Sequence, residues 1–101
     1  MDKSDALNIA RRFAATVKMN YNPKRIMLFG SYVRGNFHDE SDIDIAVVLT
    51  EYDDSFDMRL DLMRLRRSID SRIEPHPFRE SDFNAANPIA YEILKYGMDI
   101  E

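Results

Sequence analysis

Apolar positions along this chain switch between helical and strand spacing, and the switches outline its elements. Leu7, Ala10, Ala14 and Val17, joined by Ile9 and Phe13, recur at helical spacing. They predict a first helix from about Asp5 to Met19, with Ser4 as its N-cap. Asn20-Tyr21-Asn22-Pro23 ends it, because Pro23 biases Asn22 toward extended backbone. Ile26-Met27-Leu28-Phe29 is continuously apolar, so Arg25 to Phe29 reads as a short buried strand closed by Gly30. Ser31 to Arg34 reads as a turn or short helix before Gly35, and Asn36 to Ser41 as a polar loop.

In the next segment Ile43, Ile45 and Val47 alternate with Asp42, Asp44 and Ala46, and the run closes as Val47-Val48-Leu49. This predicts a strand from Ile43 to Leu49, wet on one face at its start and buried on both faces at its end. A helix from about Phe56 to Asp70 follows, capped by Asp54 or Ser55. Phe56, Leu60, Met63 and Arg67 lie on one line of it, with Leu62, Leu65 and Ile69 broadening the apolar side. Arg72 to Phe78 is a weaker third strand, and Pro75 and Pro77 suggest an edge position. The last helix is bracketed by Asn87 as N-cap, Pro88 at its first position and Gly97 past its end. Met98 to Glu101 is either a tail or a final short strand.

This order implies an α/β or α+β domain: a small mixed sheet of three to four strands with helices packed mainly on one side. The 101 residues read as one domain, 1–101, with no internal repeat or linker. Strand order and direction do not follow from periodicity.

Composition narrows the function. Apolar residues at 45% and charged residues at 32% describe an ordinary globular chain rather than a disordered one. The absence of cysteine excludes disulfides, zinc knuckles and thiol nucleophiles. Met1-Asp2-Lys3-Ser4-Asp5 lacks the basic-then-apolar order of a signal peptide, and no apolar run approaches the roughly 20 residues of a membrane span. The expectation is a cytoplasmic protein without a membrane partner. A net charge of −4, with no long Lys/Arg block, argues against nucleic acid as a direct ligand.

Candidate chemistry sits between Phe29 and Asp44. Asp42 and Asp44, two apart on a strand, leave the same face with Cα atoms roughly 7 Å apart. Such a pair can converge on one or two hard cations, and Mg²⁺ suits it, taking one or two carboxylates plus phosphate oxygens and waters. An isolated Asp-x-Asp is more often a solvated strand face, and a Gly-Ser pair alone is more often an ordinary turn. At a strand end, however, Gly30 allows backbone to approach a phosphate, and Ser31 can donate to its oxygens. Arg34 can add charge-assisted bonds to phosphates or brace the loop through an acidic partner. Conjunction separates these residues from the bland readings: strand, Gly-Ser, a loop of set length, then a strand that starts with paired aspartates.

Gly30-Ser31, the stretch Tyr32 to Ser41, and Asp42-Ile43-Asp44 together resemble the GSx10DxD signature of the DNA polymerase beta-like nucleotidyltransferase superfamily. The fuller string Phe29-Gly30-Ser31-Tyr32-Val33-Arg34-Gly35 with Ser41-Asp42-Ile43-Asp44 is similar to the minimal, or MNT-type, nucleotidyltransferases. Val33 stands where that family often has Ala, a departure that touches nothing catalytic. The resemblance implies a third carboxylate on a neighbouring strand, holding metal and deprotonating the acceptor. Glu74 is the candidate, where the family often has Asp; by itself Glu74 reads equally well as a surface residue. His76, on the same face as Glu74, and His38, in the loop, are expected to be surface histidines.

The implied reaction moves AMP from ATP to a hydroxyl, with two Mg²⁺ ions held by Asp42, Asp44 and Glu74, and with Gly30, Ser31 and Arg34 binding the nucleotide. Because the catalytic core occupies the whole chain, the acceptor is expected to come from a partner surface or from further copies of the chain. For MNT-type proteins the implied partner is a HEPN-domain toxin, silenced by AMP on a tyrosine. Two other readings stay open: an antitoxin acting by stoichiometric binding alone, and a nucleotidyltransferase for small molecules. Tyr91, Leu94 and Tyr96 on the last helix are either core or a partner face.

Overall fold

The computed structural model describes residues 2–38 and 40–100. Met1, Asp39 and Glu101, which belong to the expected start, loop and tail, lie outside them. The first helix, α1 (Lys3–Asn20), begins two residues earlier than its apolar spacing predicts. Its cap is Asp2, not Ser4: the Asp2 carboxylate accepts from the Asp5 N–H at 2.8 Å, and Asp5 reaches back to the Asp2 N–H at 3.4 Å. That reciprocal pair satisfies two otherwise unpaired donors, which a cap at Ser4 would leave open.

Next come β1 (Arg25–Phe29), α2 (Ser31–Arg34), β2 (Ile43–Leu49) and α3 (Ser55–Leu65), capped by Asp54 and continued by a 3-10 turn at Arg66–Ser68. The chain closes with β3 (Ile73–Arg79), a 3-10 turn at Glu80–Asp82, α4 (Pro88–Tyr96) and the two-residue β4 (Met98–Asp99). The four strands lie in the order β3-β2-β1-β4. β1 runs antiparallel to both β2 and β4, while β2 and β3 are parallel.

Alternation along β2 sorts the sheet into two faces. Ile43, Ile45, Val47 and Leu49 pack with Ile26, Leu28 and Ile73 against Phe13 and Val17 of α1 and Leu62 of α3. The opposite face is thinner: Met27 and Ala46 meet Ile93 of α4, flanked by Phe29, Phe78 and Phe83. Asp44 belongs to this second face, at the end that α4 leaves open. In α3 the buried line is centred on Leu62, with Met58, Leu65 and Ile69 packed beside it. Phe56 and Leu60 of the expected line turn outward, Phe56 being 70% exposed. Leu62 faces β2 and β3 directly, and the residues on the Phe56 line fall on the rim.

β3 is an edge strand, as its prolines predict. The Arg72 carbonyl accepts from the Ile43 N–H at 2.9 Å, so even-numbered residues of this strand face β2. Pro75 and Pro77 therefore point their nitrogens outward, where no ladder donor is needed. Just before β3, the Asp70 carboxylate accepts from the backbone N–H, Nε and Nη2 of Arg72 at 2.8, 2.9 and 2.7 Å. Hydrogen bonding from the Arg72 side chain, which outweighs burial, holds the Asp70 carboxyl below its usual range. A carboxylate depressed in the fold contributes stability that is complete above the unfolded pKa of about 4 and disappears as pH falls through the lower folded value. Asp70→Asn should therefore lose about 1 kcal/mol at neutral pH. In thermal melts its deficit against wild type should close as pH falls below about 4; a deficit constant with pH would mean that charge is not its cause.

Candidate functional site

At the end of β1 the chain turns through Gly30, whose φ of +84° and ψ of −152° favour a residue without a side chain. Space demands the same: a Cβ at Gly30 would run into Oδ2 of Asp44. The two are neighbours because β1 and β2 pair antiparallel, with Phe29 opposite Asp44. Gly30 thus forms a notch in which one oxygen of Asp44 sits against the backbone that leads into α2. The Gly30 carbonyl accepts from the N–H groups of Val33 and Arg34, both at 3.1 Å, and fixes the turn from which Ser31 opens the helix.

Asp42 lies one residue before β2 and is exposed, whereas Asp44 is half-buried. The approach to Asp42 is tied down by Ser41, a buried residue whose Oγ accepts from the His38 N–H at 2.8 Å while its own N–H donates to the His38 carbonyl at 2.9 Å. His38 is exposed, as expected.

Parallel pairing puts Glu74 in register with Asp44 and His76 in register with Ala46. The Glu74 carboxylate is held by Arg59 of α3, Nη2 to Oε2 at 3.1 Å, and by Arg66, Nη1 to Oε1 at 3.5 Å. Arg66 is itself anchored by donating to the Ile73 carbonyl at 2.7 Å. His76 is no free surface histidine: its Nε2 lies 3.1 Å from Oδ1 of Asp44, and its ring meets Phe29 edge-on at 5.1 Å.

The structure therefore brings Gly30 and Asp44 into contact and sets Glu74 beside them, its carboxylate paired with arginines. No three acidic or histidine side chains among the described residues are gathered tightly enough to hold a metal ion unaided. Asp44 nonetheless offers carboxylate oxygen at the Gly30 notch, a donor chemistry that fits Mg²⁺ with its remaining positions left to phosphate and water.

Two clefts flank Asp44. One, of about 430 Å³, is lined by Phe29, Gly30, Val33, Arg34, Ile89 and Tyr96 among others. Arg34 is exposed there and makes no ion pair among the described residues. The other, of about 380 Å³, is lined by Phe56, Arg59, His76, Pro77, Phe78 and Ile89, with Ser55 at its rim. Both volumes are in the range of small-molecule sites. Arg59, Arg66, Ile89 and the His76 contact are absent from the expectations drawn from sequence. Local spacing shows only that His76 shares a strand face with Glu74 and that Arg59 and Arg66, seven apart, share a helix side; it points neither to their partners nor to Ile89.

A Gly-Ser turn folded onto an aspartate of the paired strand, on a small mixed sheet, defines a nucleotidyltransferase domain. Residues 12–100 match the family described as "Polymerase beta, Nucleotidyltransferase", and the chain belongs to that family. It is 44% identical over 54 residues to the "Putative protein adenylyltransferase MJ0604" of Methanocaldococcus jannaschii, covering 52% of this chain and 51% of that protein. The chain thus spans about half the length of the curated relatives it matches. The fold is similar to the crystal structure of a "putative nucleotidyltransferase" from Sulfolobus solfataricus, with a TM-score of 0.69, 23% identity and 96% and 80% of the two chains covered. It is also similar to a toxin-antitoxin crystal structure with AMP-PNP, with a TM-score of 0.68, 27% identity and 87% and 68% of the two chains covered. Among the described residues no helix is long and apolar enough to cross a membrane.

Proposed function

We propose that this chain is an Mg²⁺-dependent adenylyltransferase of the cytoplasm, moving AMP from ATP to a hydroxyl of a partner protein. The acceptor implied by the family resemblance is a tyrosine of a HEPN-type toxin, which would make the chain an antitoxin acting as one domain. The observation that carries the reading is the Gly30 notch, in which Gly30 lies against Asp44 on one side and lines a cleft of about 430 Å³ on the other.

In this reading ATP enters the larger cleft. Phe29, Val33, Ile89 and Tyr96 offer apolar walls and the exposed Arg34 a donor for the phosphates, with Ser31 next to the lining residue Gly30 as a second donor. The hydroxyl enters from the smaller cleft past Phe56 and Phe78, and its oxygen attacks the α-phosphorus. The new P–O bond forms as the bond to the β-phosphate bridging oxygen breaks, releasing pyrophosphate. The hydroxyl proton passes to a carboxylate, Glu74 being the candidate base. Asp42, Asp44 and Glu74 would hold Mg²⁺, which when bound supplies charge stabilisation at the attacking and leaving oxygens. For Glu74 to serve, its carboxylate must exchange Arg59 and Arg66 for the reacting centre.

A binding-only antitoxin is the second reading, favoured by the exposure of Ile89, Tyr91 and Tyr96 on α4. Incubation with α-labelled ATP, Mg²⁺ and the co-purified product of the neighbouring gene separates the two. Label on the partner that disappears with a chelator is the expected result. A stable complex without label would favour the binding module, and label on a small hydroxylated acceptor without a partner would favour small-molecule transfer.

A further inference from the structure

We propose that His76 is a positioning residue, holding the Asp44 carboxylate in the rotamer that meets divalent metal and triphosphate. The proposal rests on the reading of Asp44 given above, but its argument comes from the packing around the imidazole.

Three contacts converge on that ring. Ala46, buried and paired with His76 across the ladder, has no side chain beyond Cβ and leaves room for the imidazole to lean toward Asp44. Phe29, on the far side of β2, meets the ring edge-on with centroids 5.1 Å apart. Nε2 then stands 3.1 Å from Oδ1 of Asp44. In the tautomer that carries its proton on Nε2, the imidazole donates to that oxygen.

The backbone reinforces this placement. Glu74 precedes Pro75 and His76 precedes Pro77, so both residues are confined to extended geometry. The strand therefore delivers its two polar side chains to the Asp44 face with little freedom of direction.

Asp44 is consequently held at Oδ1 by the imidazole, while Oδ2 lies in the space that a Cβ at Gly30 would take. Without the imidazole that hydrogen bond is gone, and the carboxylate is free to change rotamer. Outer groups that orient a carboxylate ligand are commonly worth about tenfold or more in metal affinity.

The test compares substitutions that separate ring from donor. His76→Phe keeps an aromatic edge against Phe29 but removes the hydrogen bond, and His76→Gln keeps an N–H donor at similar reach. Mg²⁺ is titrated calorimetrically into each protein saturated with AMP-PNP, and folding is followed by thermal melting. His76→Phe should bind Mg²⁺ about tenfold more weakly with a melting temperature near that of wild type, and His76→Gln should stay within about threefold. If His76→Phe does not fold, His76→Leu, which also lacks a donor, supplies the same comparison. Unchanged Mg²⁺ affinity in the donor-free variant would overturn the proposal. Equal loss in His76→Gln would overturn it too, because the imidazole would then be acting as a ligand rather than a hydrogen-bond donor. Absence of Mg²⁺ binding by the wild-type complex would instead remove the metal reading of Asp44 itself.

Discussion

Asp44→Asn should lower AMP transfer roughly 10³-fold, measured as label moved from α-labelled ATP to the acceptor, without weakening the fold. The substitution keeps size and shape, so the Gly30 notch stays filled and the amide oxygen can still accept from His76. What it removes is a negative charge at the point where the β1–β2 pairing brings strand end and aspartate together. Removing that charge also relieves repulsion from Asp42. Asp42 is exposed, so solvent screens most of that repulsion and its relief is worth little. The variant should therefore melt at the wild-type temperature or slightly above it while losing turnover. A variant both inactive and markedly less stable would make Asp44 a structural residue. One with wild-type turnover would remove it from the reaction.

Gly30→Ala should cost both activity and stability, through two separable effects. A side chain at φ +84° and ψ −152° is strained by about 1–3 kcal/mol. Its Cβ would also displace Oδ2 of Asp44, and a misplacement of about 1 Å at a reacting centre costs roughly 10²-fold in rate. Gly35 provides the control. It also has a positive φ, of +87°, but a Cβ there would meet nothing within 4 Å. Gly35→Ala should therefore lower the melting temperature with transfer near the wild-type rate, whereas Gly30→Ala should lower both. Equal activity in the two variants would show that the contact between notch and carboxylate does not matter to the reaction.

Elements determined by local pattern were legible in the sequence. β2 begins and ends where alternation from Ile43 to Leu49 places it, and α4 lies between Asn87 and Gly97 as its cap residues predict. Errors arose where two local solutions competed. Asp2 with Asp5 outcompetes Ser4 as a cap because it satisfies two donors at once. On α3 the apolar residues form a band wide enough for two orientations, and packing on the sheet selects the one centred on Leu62. The candidate site divides in the same way. Gly30 and Asp44 could be linked through the Gly-Ser and Asp-x-Asp motif, although the 13-residue connection between their strands, which holds α2, does not by itself dictate that they pair. The Asp44–His76 contact and the two arginines on Glu74 depend on β3 running parallel to β2, which no local period encodes.

The outward prolines of β3 have a consequence beyond the site. Of the outward-facing positions on this strand, Ile73 is already bonded to the Asp70 carbonyl and Pro75 and Pro77 have no N–H to offer, which leaves the Arg79 N–H at the strand end. The β3 side of the sheet is therefore a poor template for a further strand, whether from a second copy or from a misfolded neighbour. Association on this side is left mainly to side chains instead of ladder bonds. The residues that keep Glu74 and His76 extended thus also disfavour edge-to-edge pairing on the β3 side of the sheet.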